Sequence, residues 1–290
     1  MFDRLLVPTD GSDVATAAAD AAIAFADRFG ATLHVVHVLE PYELPPDVLD
    51  EGAADSAHAG EAAIADAVDE AMVAGVETRS SLIDTPGQIH ENIIAYAGNH
   101  DVDCIVMGTY GRTGLDRFVL GSVAEQTLRE SPIPVLTVHE ETEVASEFDA
   151  VLIPTDGSDS SRAATESAIE LAMSTGAALH VLHVVDAGMA TNGRIAGQIL
   201  QSLEDAGEQA LEDVIGAAES AGVSTIEASL MNGQPHRAIT DYAHSNGVDC
   251  IVMGTHGRTG LDRYILGSVA ERTVRLSEVP VLAVKDADGE

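Results

Sequence analysis

The chain repeats itself at an offset of 146 residues, so whatever it folds into must be built twice within 290 residues. Gly108-Thr109-Tyr110-Gly111 runs on to Gly121-Ser122, and Gly254-Thr255-His256-Gly257 runs on to Gly267-Ser268, each reading G-x2-G-x9-G-S. Residues 102–122 and 248–268 agree at 18 of 21 positions, differing at Tyr110/His256, Phe118/Tyr264 and Val119/Ile265. Pro8-Thr9-Asp10-Gly11-Ser12 returns at the same offset as Pro154-Thr155-Asp156-Gly157-Ser158. Cores keep their shape through volume-conserving swaps. Copies that agree best at glycines and loop polar residues therefore point to a shared site, one suited to a phosphate-bearing ligand.

Each copy has the length of an ordinary domain. The expected division is a first domain over 1–140, an acidic linker over 141–149 and a second domain over 150–290. Apolar segments begin at once with Leu5-Leu6-Val7, so no leader peptide is expected. No apolar run approaches the roughly 20 residues that span a bilayer, so no membrane partner is expected either. Cys104 and Cys250 fall at equivalent points of apolar segments. They are expected to be buried thiols, which suits a reducing cytoplasm.

The formal charge is −34, and among the 14 basic residues only Lys285 is lysine. The carboxylates are spread along apparent helices, as at Asp13, Asp20, Asp27, Asp66, Asp69 and Glu70. That pattern predicts a halophilic acidic surface, self-repelling at low salt and screened at high salt. It also argues against nucleic acid as a partner, since no basic stripe is available to neutralise phosphates.

Along the first copy, apolar strand patterns at Leu5–Val7, Thr32–Leu39, Val76–Ile83, Cys104–Met107 and Pro134–Val138 alternate with helical patterns over 13–29, 57–74, 87–98 and 122–130. Residues 40–55, with Pro41, Pro45 and Pro46, are expected to be an irregular loop. The second copy repeats the order through Val279–Val284, with a loop over 186–200. Such alternation predicts an α/β fold: two tandem doubly wound five-stranded parallel sheets with right-handed crossovers. Ligands of such sheets bind beyond the carboxyl ends of the strands, where the strand order reverses. If strands one and four are neighbours, Pro8-Thr9-Asp10 and Met107-Gly108 meet in one crevice.

Gly121-Ser122 and Gly267-Ser268 each open a helix, whose first amides lack internal partners and attract anionic oxygens. Gly108 and Gly111 would open the strand-four turn to a ribose or phosphate, and Arg112 and Arg258 could each grip two phosphate oxygens. Asp10 and Asp156 are either turn or helix-capping residues or acceptors for an adenine amino group or a ribose hydroxyl. Leu33-His34-Val35-Val36-His37-Val38, echoed by Leu179–Val184, invites a metal reading. Strand residues three apart face opposite sides of a sheet, so the two imidazoles cannot share an ion and no metal site is expected. His256 could stack on or hydrogen-bond a ligand, and Asp116-Arg117 and Asp262-Arg263 are expected to pair as salt bridges. Neither a P-loop nor the common dinucleotide fingerprint occurs.

On the duplicated G-x2-G-x9-G-S and the strand-one aspartates, the chain resembles the universal stress protein family over essentially its whole length, as a tandem member of the ATP-binding branch. The resemblance implies the adenine nucleotide alpha hydrolase-like fold, with strand order 3-2-1-4-5 in each domain. It implies adenine and ribose near Pro8, Thr9, Asp10, Val38 and Met107, and phosphates on Gly108, Gly111, Arg112, Gly121, Ser122 and Val123. In the second domain the corresponding residues are Pro154, Thr155, Asp156, Val184, Met253, Gly254, Gly257, Arg258, Gly267, Ser268 and Val269. ATP, with AMP and ADP as alternatives and Mg²⁺ as companion, is the implied ligand. Also implied are an intramolecular pseudo-dimer through the last strands, with a homodimer of chains left open, and a cytoplasmic stress-response role as a nucleotide-dependent switch. The alternative is a slow ATP hydrolase or phosphotransferase, for which no nucleophile-orienting group stands out; no catalytic residue is assigned.

Overall fold

The computed structural model describes residues 1–39, 46–111, 120–142, 144, 148–186, 196–256 and 266–285. It divides into two compact units, Met1–Glu143 and Val144–Glu290. In the first, the strands are β1 (Arg4–Pro8), β2 (Thr32–Val38), β3 (Thr78–Ile83), β4 (Cys104–Gly108) and β5 (Val135–Val138). The helices are α1 (Asp13–Phe29), α2 (Pro46–Ala74), α3 (Ile89–Asn99) and α4 (Ser122–Glu130). All pairings are parallel, in the order β3-β2-β1-β4-β5. The doubly wound sheet expected from the alternation is therefore observed, in the strand order that the resemblance implies.

The second unit repeats it with β6 (Ala150–Pro154), β7 (Ala178–Val185), β8 (Ile226–Asn232), β9 (Cys250–Gly254) and β10 (Val281–Val284). Its helices are α5 (Asp159–Thr175), α6 (Ala196–Ala221), α7 (Pro235–Ser245) and α8 (Ser268–Leu276), and its order is β8-β7-β6-β9-β10.

A central parallel strand is covered on both faces and reads as a continuous apolar run; Leu5, Leu6 and Val7 of β1 are wholly buried. Helices α1 and α2 lie against the sheet on one side, while α3 packs with α4. Six of the nine buried residues of α1 are alanines (Ala15, Ala18, Ala19, Ala21, Ala22, Ala26), which lets its axis approach β1 and β4 closely. Gly30 ends α1 in the left-handed region at φ 66°, its N–H bonding to Ala26 O; only glycine does this without steric cost.

One expectation needs correction. Residues 46–55 are helical, because α2 starts at Pro46 itself. Proline at the first helical position sacrifices no internal hydrogen bond, so it begins a helix as readily as it breaks one. In the same way α6 begins at Ala196, inside the segment expected to be a loop. Pro41 and Pro45 lie outside the described residues. The thiols of Cys104 and Cys250 are buried, and burial pushes the Cys104 pKa up to about 12. Among the described residues no helix is long and apolar enough to cross a membrane.

Candidate functional site

The chain leaves β1 for one side of the sheet and β4 for the other, so the loops after these adjacent strands diverge and open a crevice at their carboxyl ends. The β1 ladder ends when Thr9 N donates to Val36 O at 2.8 Å. Asp10 then turns the chain. Its Oδ1 accepts from Ser12 N at 3.0 Å and from Ser12 Oγ at 2.6 Å. Gly11 takes φ 74°, and Ser12 Oγ caps α1 by accepting from Ala15 N at 3.3 Å. The second unit copies this, with Ser158 N on Asp156 Oδ1 at 3.0 Å, Gly157 at φ 75° and Ser158 as the cap of α5. The aspartate is thus a turn residue that holds the capping serine.

The glycine loop closes at its base. Gly121 N donates to Thr109 O at 2.7 Å, and Gly267 N to Thr255 O at 2.8 Å. A Cβ on Gly111 would lie 2.8 Å from Asp10 Oδ2, so the two repeated motifs do meet. Gly108 also answers to a packing constraint. A Cβ there would stand 2.7 Å from Val14 Cγ2 and 3.0 Å from Val14 O. On Gly254 it would stand 2.7 Å from Ser160 O. The side on which a Cβ would stand is taken by the first turn of α1 or α5.

The helices that begin at the crevice differ in how their first amides are served. Helices α1 and α5 are capped by serine side chains, whereas α4 and α8 have Gly121 and Gly267 as N-caps, with no side chain to offer. The first helical bond of α4 is Glu125 N to Gly121 O, and of α8 Glu271 N to Gly267 O. The amides of Ser122, Val123 and Ala124, like those of Ser268, Val269 and Ala270, precede these bonds and face the N-terminal end, where partial positive charge collects.

In the second unit these parts line one cavity of about 490 Å³. Its walls include Pro154, Thr155 and Asp156 after β6, Val184 of β7, Met253 and Gly254 of β9, and Gly267, Ser268 and Val269 at the start of α8. Sequence reasoning had not placed Ser161, Leu182, Val185, Asp186, Leu203, Pro235, Ile239 or Ala270 there. The apolar ones come from α6, α7, α8 and the β7 end and carry no local signal beyond that of a core residue. His256, weighed as a ligand contact, does line the cavity, its Nδ1 2.8 Å from Thr255 Oγ1. In the first unit Tyr110 stands at that position and donates to Glu140 Oε2 at 3.0 Å, while Thr109 Oγ1 meets His139 Nδ1 at 2.9 Å. The first unit brings Pro8, Thr9, Asp10, Met107, Gly108, Gly111 and Gly121 to the same strand ends, with Val38 closing β2 and Ser122 and Val123 opening α4. Arg112, Gly257 and Arg258, and the pairs Asp116-Arg117 and Asp262-Arg263, lie outside the described residues.

The repeated histidines part company as their spacing requires. His34 Nδ1 meets Tyr96 OH of α3 at 3.1 Å, and His180 Nδ1 meets Tyr242 OH of α7 at 3.0 Å. His37 and His183 point to the opposite face, toward α2 and α6. Among the described residues no group of three or more His, Cys, Asp or Glu is arranged to hold a metal.

Comparison with known proteins agrees with this architecture. The profile of the universal stress protein family matches residues 1–139 and again 147–285. A universal stress protein of Methanocaldococcus jannaschii is 39% identical over 141 residues, covering 48% of this chain and 82% of its own. Universal stress protein YxiE of Bacillus subtilis is 33% identical over 148 residues, covering 48% of this chain and 99% of its own. The crystal structure of a universal stress protein from Archaeoglobus fulgidus superposes with a TM-score of 0.73 at 26% identity, covering 99% of this chain and 98% of its own. With the fold, the duplication and the family profile all spanning the same two segments, the chain belongs to the universal stress protein family.

Proposed function

We propose that each unit binds one adenine nucleotide, ATP with Mg²⁺ foremost, and that occupancy switches the protein's contacts in a cytoplasmic stress response. The observation that carries this reading is the second-unit cavity. Its volume of about 490 Å³ lies in the range of small-molecule sites. It joins an apolar end to an anion-seeking end. Val184, Met253 and Ile239 offer apolar surface for a base, with Asp156 beside them as an acceptor for amino or hydroxyl groups. Gly267, Ser268 and Val269 offer helix amides that the N-cap glycine leaves uncovered. Mg²⁺ would arrive on the phosphates, neutralising charge that an acidic protein would otherwise repel.

The test is calorimetric titration of ATP and Mg²⁺ into nucleotide-stripped protein at high salt, with phosphate release followed on the same sample. Two sites per chain with negligible release are expected. Asp10→Ala combined with Asp156→Ala should weaken binding about tenfold or more, the worth of one lost charge-assisted hydrogen bond, while the protein stays folded. No binding by the wild-type protein would overturn the reading. Steady release would replace the switch by the slow hydrolase or phosphotransferase.

A further inference from the structure

The second histidine of each β2-type strand is buried, and its ring makes one specific polar contact. His37 and His183 are 6% and 7% exposed, and His183 is part of the cavity wall beside Thr155 and Asp156. In both units Nδ1 lies against the carbonyl oxygen of the residue before the site aspartate: Thr9 O at 2.7 Å and Thr155 O at 2.8 Å. A carbonyl only accepts, so Nδ1 carries the proton in each ring. The other edge of the ring is pressed against a glycine in the middle of a long helix. A Cβ on Gly60 of α2 would overlap the His37 ring, and one on Gly207 of α6 would lie 2.5 Å from His183 Cδ2. Glycine is unfavourable inside a helix, and α2 is otherwise rich in alanine. The histidines are 146 residues apart, whereas Gly60 and Gly207 are 147 apart. The repeat has slipped by one residue between strand and helix, and the glycine has stayed opposite the ring.

We propose that His37 and His183 are positioning residues that set the Thr-Asp turn for nucleoside recognition, and that Gly60 and Gly207 are the seats that admit the ring. The inference rests on the nucleotide reading of the site. The last ladder bond of the first strand is made by Thr9 N, and by Thr155 N in the second unit, and among the described residues no neighbouring strand amide donates to the next carbonyl. The imidazole takes that place. Holding Thr9 O fixes the plane of the Thr9–Asp10 peptide, since a peptide unit is rigid. That in turn fixes where the Asp10 carboxylate starts from. Ser12 holds the same carboxylate from the other side through Oδ1. The ring's hydrogen bond reaches the nucleoside end of the site through this turn, with His183 also forming part of the cavity wall, and the α4 and α8 amides take no part in that bond.

The experiment compares His37→Leu/His183→Leu with His37→Asn/His183→Asn in the full chain at high salt. Asparagine places its amide nitrogen where Nδ1 stood; leucine offers no donor. Adenosine, ATP and inorganic tripolyphosphate are titrated separately. In the leucine pair, affinity for adenosine and ATP falls about tenfold, as one buried hydrogen bond warrants, while tripolyphosphate affinity is kept. The asparagine pair restores both to within a few-fold. Wild-type affinity for adenosine in the folded leucine pair would overturn the proposal. So would an equal loss for tripolyphosphate that asparagine does not rescue, since that is the mark of a merely structural ring.

If wild-type protein binds no nucleoside, the nucleotide reading fails by itself. The positioning claim is then read from the amide resonances of Asp10 and Asp156 in ligand-free protein. They must shift in the leucine pair and return in the asparagine pair; unmoved resonances overturn it. If the leucine pair does not fold, Gly60→Ala with Gly207→Ala displaces the rings from the helix side. It must produce the same selective loss of adenosine affinity, and unchanged adenosine affinity in that variant overturns the proposal.

Discussion

Gly108 shows how one residue can shape a site through its packing. Its missing Cβ is what lets the end of β4 pass under the first turn of α1, where Val14 Cγ2 would otherwise be 2.7 Å away. That close passage sets the spacing between the β1 turn and the glycine loop. Gly108→Ala should therefore cost about 1–3 kcal/mol, the usual penalty for overpacking. Adding Val14→Ala should recover part of it, because the methyl then meets only the Val14 carbonyl oxygen at 3.0 Å. Denaturant unfolding of the single and double variants decides the matter; an unchanged midpoint for Gly108→Ala would show that α1 can move away freely. Gly121 has a comparable constraint, since a Cβ there would sit 3.0 Å from Tyr110 Cα. A valine at Gly121 would press on the loop base before it reached any phosphate, and is a poor probe of binding alone.

At the scale of elements, β2 and β7 carry the same pair of histidines into different surroundings. His34 is buried, and its Nε2 has no hydrogen-bond partner among the described residues. Burial, then the positive charges of His100, Arg79 and Arg4, push its pKa below the ordinary value. The unfolded chain takes up that proton near pH 6.5 and the folded chain only at lower pH. His34 thus contributes stability that is present above about pH 6.5 and lost as pH falls through the folded value. His34→Leu should flatten the decline in melting temperature between pH 7 and pH 5 at fixed high salt. A slope identical to wild type would place the acid sensitivity elsewhere, with His236, also pushed down by burial and by Arg272 and Arg237, as the next group to vary.

These elements also show what one-dimensional pattern can and cannot carry. The strands were legible from apolar runs and the doubly wound class from their alternation with helices, whereas the order 3-2-1-4-5 came with the family resemblance. The start of α2 was not, because proline is silent about whether it ends a loop or begins a helix. The partners of Gly108, Gly60 and Gly207 were not, because close approach is a tertiary fact. Nor did the glycines themselves single out Gly60 and Gly207, since α2 also holds Gly52 and α6 also holds Gly197 and Gly216.

The charge of −34 acts on the whole molecule and opposes both its folding and the proposed ligand. Asp20, Asp27, Asp69 and Glu70 line one groove between α1 and α2, and burial followed by the charge of Asp20 raises the pKa of Glu70. Bringing such helices together costs free energy at neutral pH that ions can screen. The screening length falls from about 10 Å at 0.1 M salt to about 3 Å at 1 M. Melting temperature should therefore fall as salt is withdrawn. ATP affinity should follow the same direction for a separate reason. In the proposed mode, contacts between phosphate oxygens and the α4 or α8 amides would be made at hydrogen-bond distance and would survive 1 M salt, whereas repulsion from the distributed carboxylates would not. Affinity should then rise with salt, opposite to a basic protein that binds phosphates by releasing counterions. Measuring the dissociation constant and the melting curve across the same salt series separates the two effects, provided binding is taken only where the protein is fully folded. Affinity that drops with added salt would mean that arginine side chains, not helix amides, hold the phosphates.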